Sequence, residues 1–101
     1  MATKKRVEAV PTKKISVKGA LSQIIGYGLF NCLDDKDNEQ LVLSRHVRQC
    51  DIVIIFNYYG HLVDVRLDNC ASDIDNHERN MLLTIGWQEA RYIFEDIKSL
   101  R

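Results

Sequence analysis

The chain has 101 residues, enough for one hydrophobic core and too few for two. Its 46% hydrophobic and 28% charged content is that of an ordinary globular domain and argues against wholesale disorder. Formal charge sums to zero but is divided: residues 1–18 carry six basic side chains against Glu8 alone, net +5, and residues 19–101 carry eight basic against thirteen acidic, net −5.

The longest apolar run, residues 52–56, is far short of the roughly 18 residues that span a bilayer, so no membrane helix is expected. No apolar segment follows Lys4-Lys5-Arg6 as a secretory signal would require. Cys32, Cys50 and Cys70 are odd in number and irregularly spaced, which does not describe a disulfide framework. The expectation is buried free thiols in a reducing, cytoplasmic compartment. The spacing also lacks the paired ligands of a zinc site, and no phosphate-binding or dinucleotide glycine pattern occurs, so neither metal nor cofactor is expected.

Residues 1–14 contain Pro11 and show no periodicity, which predicts a basic flexible arm ahead of a single α+β domain at 15–101. Phosphate binding needs clustered cations, and Lys4, Lys5, Arg6, Lys13, Lys14 and Lys18 are the candidates for it. A solubilising tail is the plainer reading of the same residues.

Leu21, Ile24, Ile25, Gly28 and Cys32 fall at helical spacing and predict a shorter N-terminal helix at about 19–32. Gly26 and Gly28 each weaken it by about 1 kcal/mol relative to alanine. A helix ending near Ile25, with 27–33 extended, stays open. The acidic stretch 34–40 has calcium-loop spacing at Asp35, Asp37 and Glu39. It lacks the turn glycine, and His46 stands where the bidentate glutamate belongs, so it reads as a solvated loop.

Residues 41–69 predict a three-stranded antiparallel meander, about 41–47, 51–58 and 62–69. A two-residue turn at Tyr59-Gly60 sets Ile52, Ile54 and Phe56 against Leu67, Val65 and Val63. Another at Arg48-Gln49 sets Leu41, Leu43 and Val47 against Phe56, Ile54 and Cys50. Both turns put the apolar side chains on one face.

A long helix at about 76–100 should cover that face. Asp75 with Glu78 three residues on is a capping-box pattern. Leu82, Leu83, Gly86, Trp87, Ala90, Ile93, Phe94, Ile97 and Leu100 form the apolar stripe, opposite an exposed Arg91–Glu95 pair. The resulting order, α-β-β-β-α, resembles in order alone that of a double-stranded-RNA-binding domain. That family contacts phosphates with a lysine cluster at the start of the last helix, where this chain has Asn76-His77-Glu78-Arg79-Asn80.

The predicted register aligns His46, Asp51 and Asp68 in one row on the opposite, mixed face, a candidate for acid–base or metal chemistry. The plainer reading is solvated strand ends compensated by Arg48 and Arg66. At the hairpin tip, Tyr58, Tyr59 and His61 are candidate partner contacts, since tyrosines offer contact area at low entropic cost. With no catalytic motif present, the leading expectation is a non-enzymatic interaction protein that binds another protein or its own copy. The alternatives are nucleic-acid binding through residues 1–18, and a small metal- or acid–base-dependent hydrolase.

Overall fold

A computed structural model describes residues 13–100; the arm residues Lys4, Lys5 and Arg6 lie outside the described residues. The chain enters the fold at Ile15, whose side chain is buried and whose N–H donates to the carbonyl of Tyr58 (2.7 Å). Helix α1, Val17–Tyr27, starts at Ser16, whose hydroxyl accepts from the Gly19 N–H (3.0 Å). It stops at Gly28, which takes the left-handed conformation (φ +71°) that closes a helix without a Cβ clash. The expected helix to residue 32 is thus cut short at Tyr27, and of the alternative with 27–33 extended only residues 31–33 lie in a strand.

Strand β1, Asn31–Asp35, is a fourth strand beyond the three expected. It pairs antiparallel with β2, Gln40–Val47, through the acidic loop. That loop turns because the Asp35 carboxylate accepts from the Asn38 backbone (3.3 Å) and side-chain amide (2.9 Å), and Glu39 adopts φ +53°. Strands β3, Cys50–Asn57, and β4, Leu62–Asp68, complete an all-antiparallel sheet in the order β1-β2-β3-β4. The element order is therefore α-β-β-β-β-α, which removes the likeness in order to a double-stranded-RNA-binding domain.

Most of the expected register is present: Leu41, Leu43 and Val47 oppose Phe56, Ile54 and Cys50, and Ile52 and Ile54 oppose Leu67 and Val65. Phe56, however, opposes Leu62 rather than Val63. The tip is a wider turn than two residues. Gly60, at φ +85°, donates its N–H to the Asn57 carbonyl, and the Asn57 N–H donates to the His61 carbonyl. The extra residue is returned at Val63, which bulges out of the ladder and leaves its side chain 48% exposed.

Helix α2, Asn76–Ile97, runs on into a 3₁₀ turn, Lys98–Leu100. Asp75 caps it as expected, accepting from the Glu78 N–H (2.8 Å). The Glu78 carboxylate does not reach back to close the capping box; it accepts from Arg48 Nη1 (3.1 and 3.3 Å). Glu95 pairs with Lys98 (2.7 Å) rather than with Arg91. Ala20 and Ile24 from α1, and Ala90, Ile93 and Ile97 from α2, share one core with Leu41, Leu43, Ile52, Ile54, Phe56 and Val65. Both helices therefore cover the same face of the sheet. Trp87, expected in the buried stripe, sits on its flank and is 48% exposed. No helix among the described residues is long and apolar enough to cross a membrane.

Candidate interaction surface

With both helices on one side, no helix or strand among the described residues lies over the other face of the sheet. Side chains alternate across a strand, so the register determines what that face displays. One cross-strand row is Leu33, Val42, Ile55 and Asp64; the next is Asn31, Ser44, Val53 and Arg66. On this face Val53 and Ile55 are buried, and Leu33, at the β1 edge, is 64% exposed. The polar residues Asp35, Gln40 and Asn57 border this band at one end. His46, Asp51 and Asp68 border it at the other.

The expected row of His46, Asp51 and Asp68 is in register, His46 opposite Asp51 and Asp51 opposite Asp68. Only two of its three side chains, His46 and Asp51, come together. His46 Nδ1 lies 2.7 Å from Asp51 Oδ1, and Asn69 Nδ2 donates to Asp51 Oδ2 (2.9 Å). The Asn69 hydrogen bond first, and His46 second, hold the Asp51 carboxyl below the usual carboxylate range. Asp68 turns away to accept from Arg66 Nε (3.1 and 3.2 Å), whose Nη1 also donates to Asp64 (3.3 Å). These two acids keep the guanidinium more firmly charged than usual. The row is therefore a carboxylate-oriented imidazole at one corner and a separate arginine clamp at the other. Among the described residues no group of three or more His, Cys, Asp or Glu side chains is arranged to hold a metal ion.

The tip residues Tyr58, Tyr59 and His61 are each half-buried. Tyr58 packs on the core beneath the helices and donates its hydroxyl to Asp34, which pushes the phenol's pKa up to about 12. The N–H groups of Tyr59 and His61 both donate to Asn57 Oδ1 (2.9 and 3.0 Å), so the tip is knit internally by one asparagine. Of the candidate basic residues that are described, Lys13 and Lys18 are exposed. Lys14 pairs with Glu39 (2.9 Å), which holds its ammonium charged to higher pH than usual.

Cys50 and Cys70 are joined in a disulfide, which corrects the expectation of free thiols and is a weak indication against a reducing cytoplasm. A strand continuing through residue 70 would have turned Cys70 to the other face. Instead β4 ends at Asp68 and Asn69 adopts φ +53°, bringing Cys70 back against Cys50. Cys32 stays free, on the helix side of β1; burial first, then Asp34, raise its pKa to about 11.

Sequence reasoning missed Leu33 as a surface residue, because β1 was not read as a strand. The available signal was the loop itself: Asp-Lys-Asp-Asn between two apolar-containing segments is hairpin chemistry. Compared with protein-family models, curated proteins and solved structures, the chain matches none.

Proposed function

We propose that this chain is a non-enzymatic interaction module that works by protein–protein contact, self-association included, through the helix-free face of its sheet. The observation that carries this reading is the row Leu33–Val42–Ile55, an apolar band bordered by polar and charged rows. An apolar centre with a polar rim is the common anatomy of protein interfaces. The face carries Asp35, Asp51, Asp64 and Asp68 against Arg66 and His46, a balance that repels a phosphate backbone rather than attracting it.

The test is a pull-down from the native host with wild-type chain and Val42→Asp, each with and without nuclease, after circular dichroism shows that both fold. The expected result is a protein partner, or untagged copies of the chain, retained after nuclease and lost with Val42→Asp. Partners that survive Val42→Asp would overturn the assignment of the face. Captured material that vanishes on nuclease treatment would transfer the function to Lys4, Lys5, Arg6, Lys13, Lys14 and Lys18.

A further inference from the structure

Among the described residues the sheet ends in two edges, β1 and β4, and they are protected unequally. A free strand edge offers unpaired N–H and C=O groups to any extended chain, and proteins blunt it with bulges and charges. The β4 edge has both devices: Val63 bulges, and Asp64, Arg66 and Asp68 follow it. The β1 edge has five consecutive regular pairs with β2 and no bulge, proline or glycine, and its only charged residues are Asp34 and Asp35 at its C-terminal end. Exposed large hydrophobic side chains lie on the stretch that leads into it, Ile25 (68%) and Leu29 (52%), and on the strand itself, Leu33 (64%).

Building on the self-association reading above, we propose that a second copy of this chain occupies the β1 edge, paired antiparallel through Asn31–Asp35 with Leu33 opposite Leu33. Side-chain chemistry selects this register. In a continuous sheet, opposed residues point to the same face. Two identical antiparallel strands related by a two-fold axis can therefore meet only where one residue opposes itself. Centring on Asp34 sets carboxylate against carboxylate. Centring on Cys32 pairs only Asn31, Cys32 and Leu33, and leaves Asp34 and Asp35 facing the apolar Phe30 and Leu29. Centring on Leu33 pairs all five residues, sets Asp35 against the amide of Asn31 and Asp34 against Cys32, and opposes no two acids. It also joins the apolar row Leu33–Val42–Ile55 to its copy, so that six apolar side chains run unbroken across an eight-stranded sheet.

The experiment is light scattering on size-exclusion eluate of the full chain over a hundredfold concentration range, beside two sets of variants. The pairing predicts a concentration-dependent dimer that Leu33→Lys, which sets two ammonium groups face to face, returns to monomer with an unchanged amide fingerprint outside β1. In a Cys32→Ser background, Leu33→Cys should form an intermolecular disulfide under mild oxidation, and Val63→Cys, by the opposite edge, should not. A monomer throughout the range, a dimer untouched by Leu33→Lys, or cross-linking through Val63→Cys instead would each overturn it. A monomeric chain that still captures a partner dependent on Val42 would remove the pairing alone and leave the proposed face standing.

Discussion

Arg45 on β2 reaches across the helix-side face to Glu89 on α2, with Nη2 donating to Oε2 (2.5 Å) and Nε to Oε1 (3.3 Å). Both side chains are less than a quarter exposed, and the guanidinium lies 5.7 Å from the centre of the Phe30 ring. This one arginine therefore ties a strand, the long helix and the segment before β1. Loss of either partner leaves a poorly hydrated charge. Arg45→Ala and Glu89→Ala should each cost about 1–3 kcal/mol in urea denaturation. Arg45→Lys should recover only part of that, since lysine lacks the planar fork. Losses below about 0.5 kcal/mol in both alanine variants would reduce the pair to an ordinary surface contact.

That pair was not legible in the sequence, and the reason is general. Arg45 stands on the inward parity of β2, where a hydrophobic pattern counts it as an interruption, and its partner is 44 residues away. The meander was legible because Leu41, Leu43, Ile52, Ile54 and Val65 alternate cleanly; the two-residue turn at Arg48-Gln49 fixes the β2–β3 register, and the bulge at Val63 offsets the wider tip so that Ile52 and Ile54 still meet Leu67 and Val65. Strand β1 was not, because Asn31-Cys32-Leu33-Asp34-Asp35 has little strand propensity of its own and takes its conformation from pairing with β2. The Asp75 cap was readable as local chemistry. The His46–Asp51–Asp68 row was readable as register, while Arg66 and Asn69 decide how its carboxylates are used.

Two helical glycines should respond to alanine in opposite directions. A Cβ at Gly26 in α1 meets nothing within 4 Å, so Gly26→Ala should stabilise by about 0.5–1 kcal/mol through helix propensity. A Cβ at Gly86 in α2 would lie 3.1 Å from both Ile52 Cγ2 and Val65 Cγ1, buried β-branched side chains with little freedom to turn aside. Gly86→Ala should lose on the order of 1 kcal/mol despite the better propensity, and Gly86→Val more. Thermal or urea unfolding checks the pair. A stabilised Gly86→Ala would mean that α2 does not sit this close to the sheet.

The Asp51 carboxyl gives the protein a defined acid sensitivity. Its folded pKa lies below that of an unfolded aspartate, about 3.9. The stabilisation is therefore complete above the unfolded value and is lost as pH falls through the folded one. Carboxyl-detected NMR titration should place Asp51 below the ordinary range. Because the Asn69 side chain is the largest cause of that displacement, Asn69→Ala should move the titration upward and begin acid unfolding at higher pH. His46→Ala should move it less. A larger response to His46→Ala would reverse the ranking of the two contacts.

The Cys50–Cys70 disulfide closes a loop over a sequence separation of 20 residues, spanning the hairpin of β3 and β4. By loop-closure entropy its reduction should cost about 3 kcal/mol, read as a lower urea midpoint in the presence of a dithiol. The reduced chain should stay folded, because the Ala71 N–H still donates to the Gln49 carbonyl (2.8 Å) and Arg48 still holds Glu78. The change in amide exchange should therefore concentrate in residues 69–75, ahead of α2. Cys32 provides the internal control. With its pKa near 11 it remains a protonated thiol at neutral pH, so alkylation of the native oxidised protein should be slow and confined to one site. After reduction, Cys70, the less buried partner, should label before Cys50, which is fully buried against the sheet. Mass spectrometry reads all three sites directly, and a native protein that took up three alkyl groups without reductant would not contain this bond.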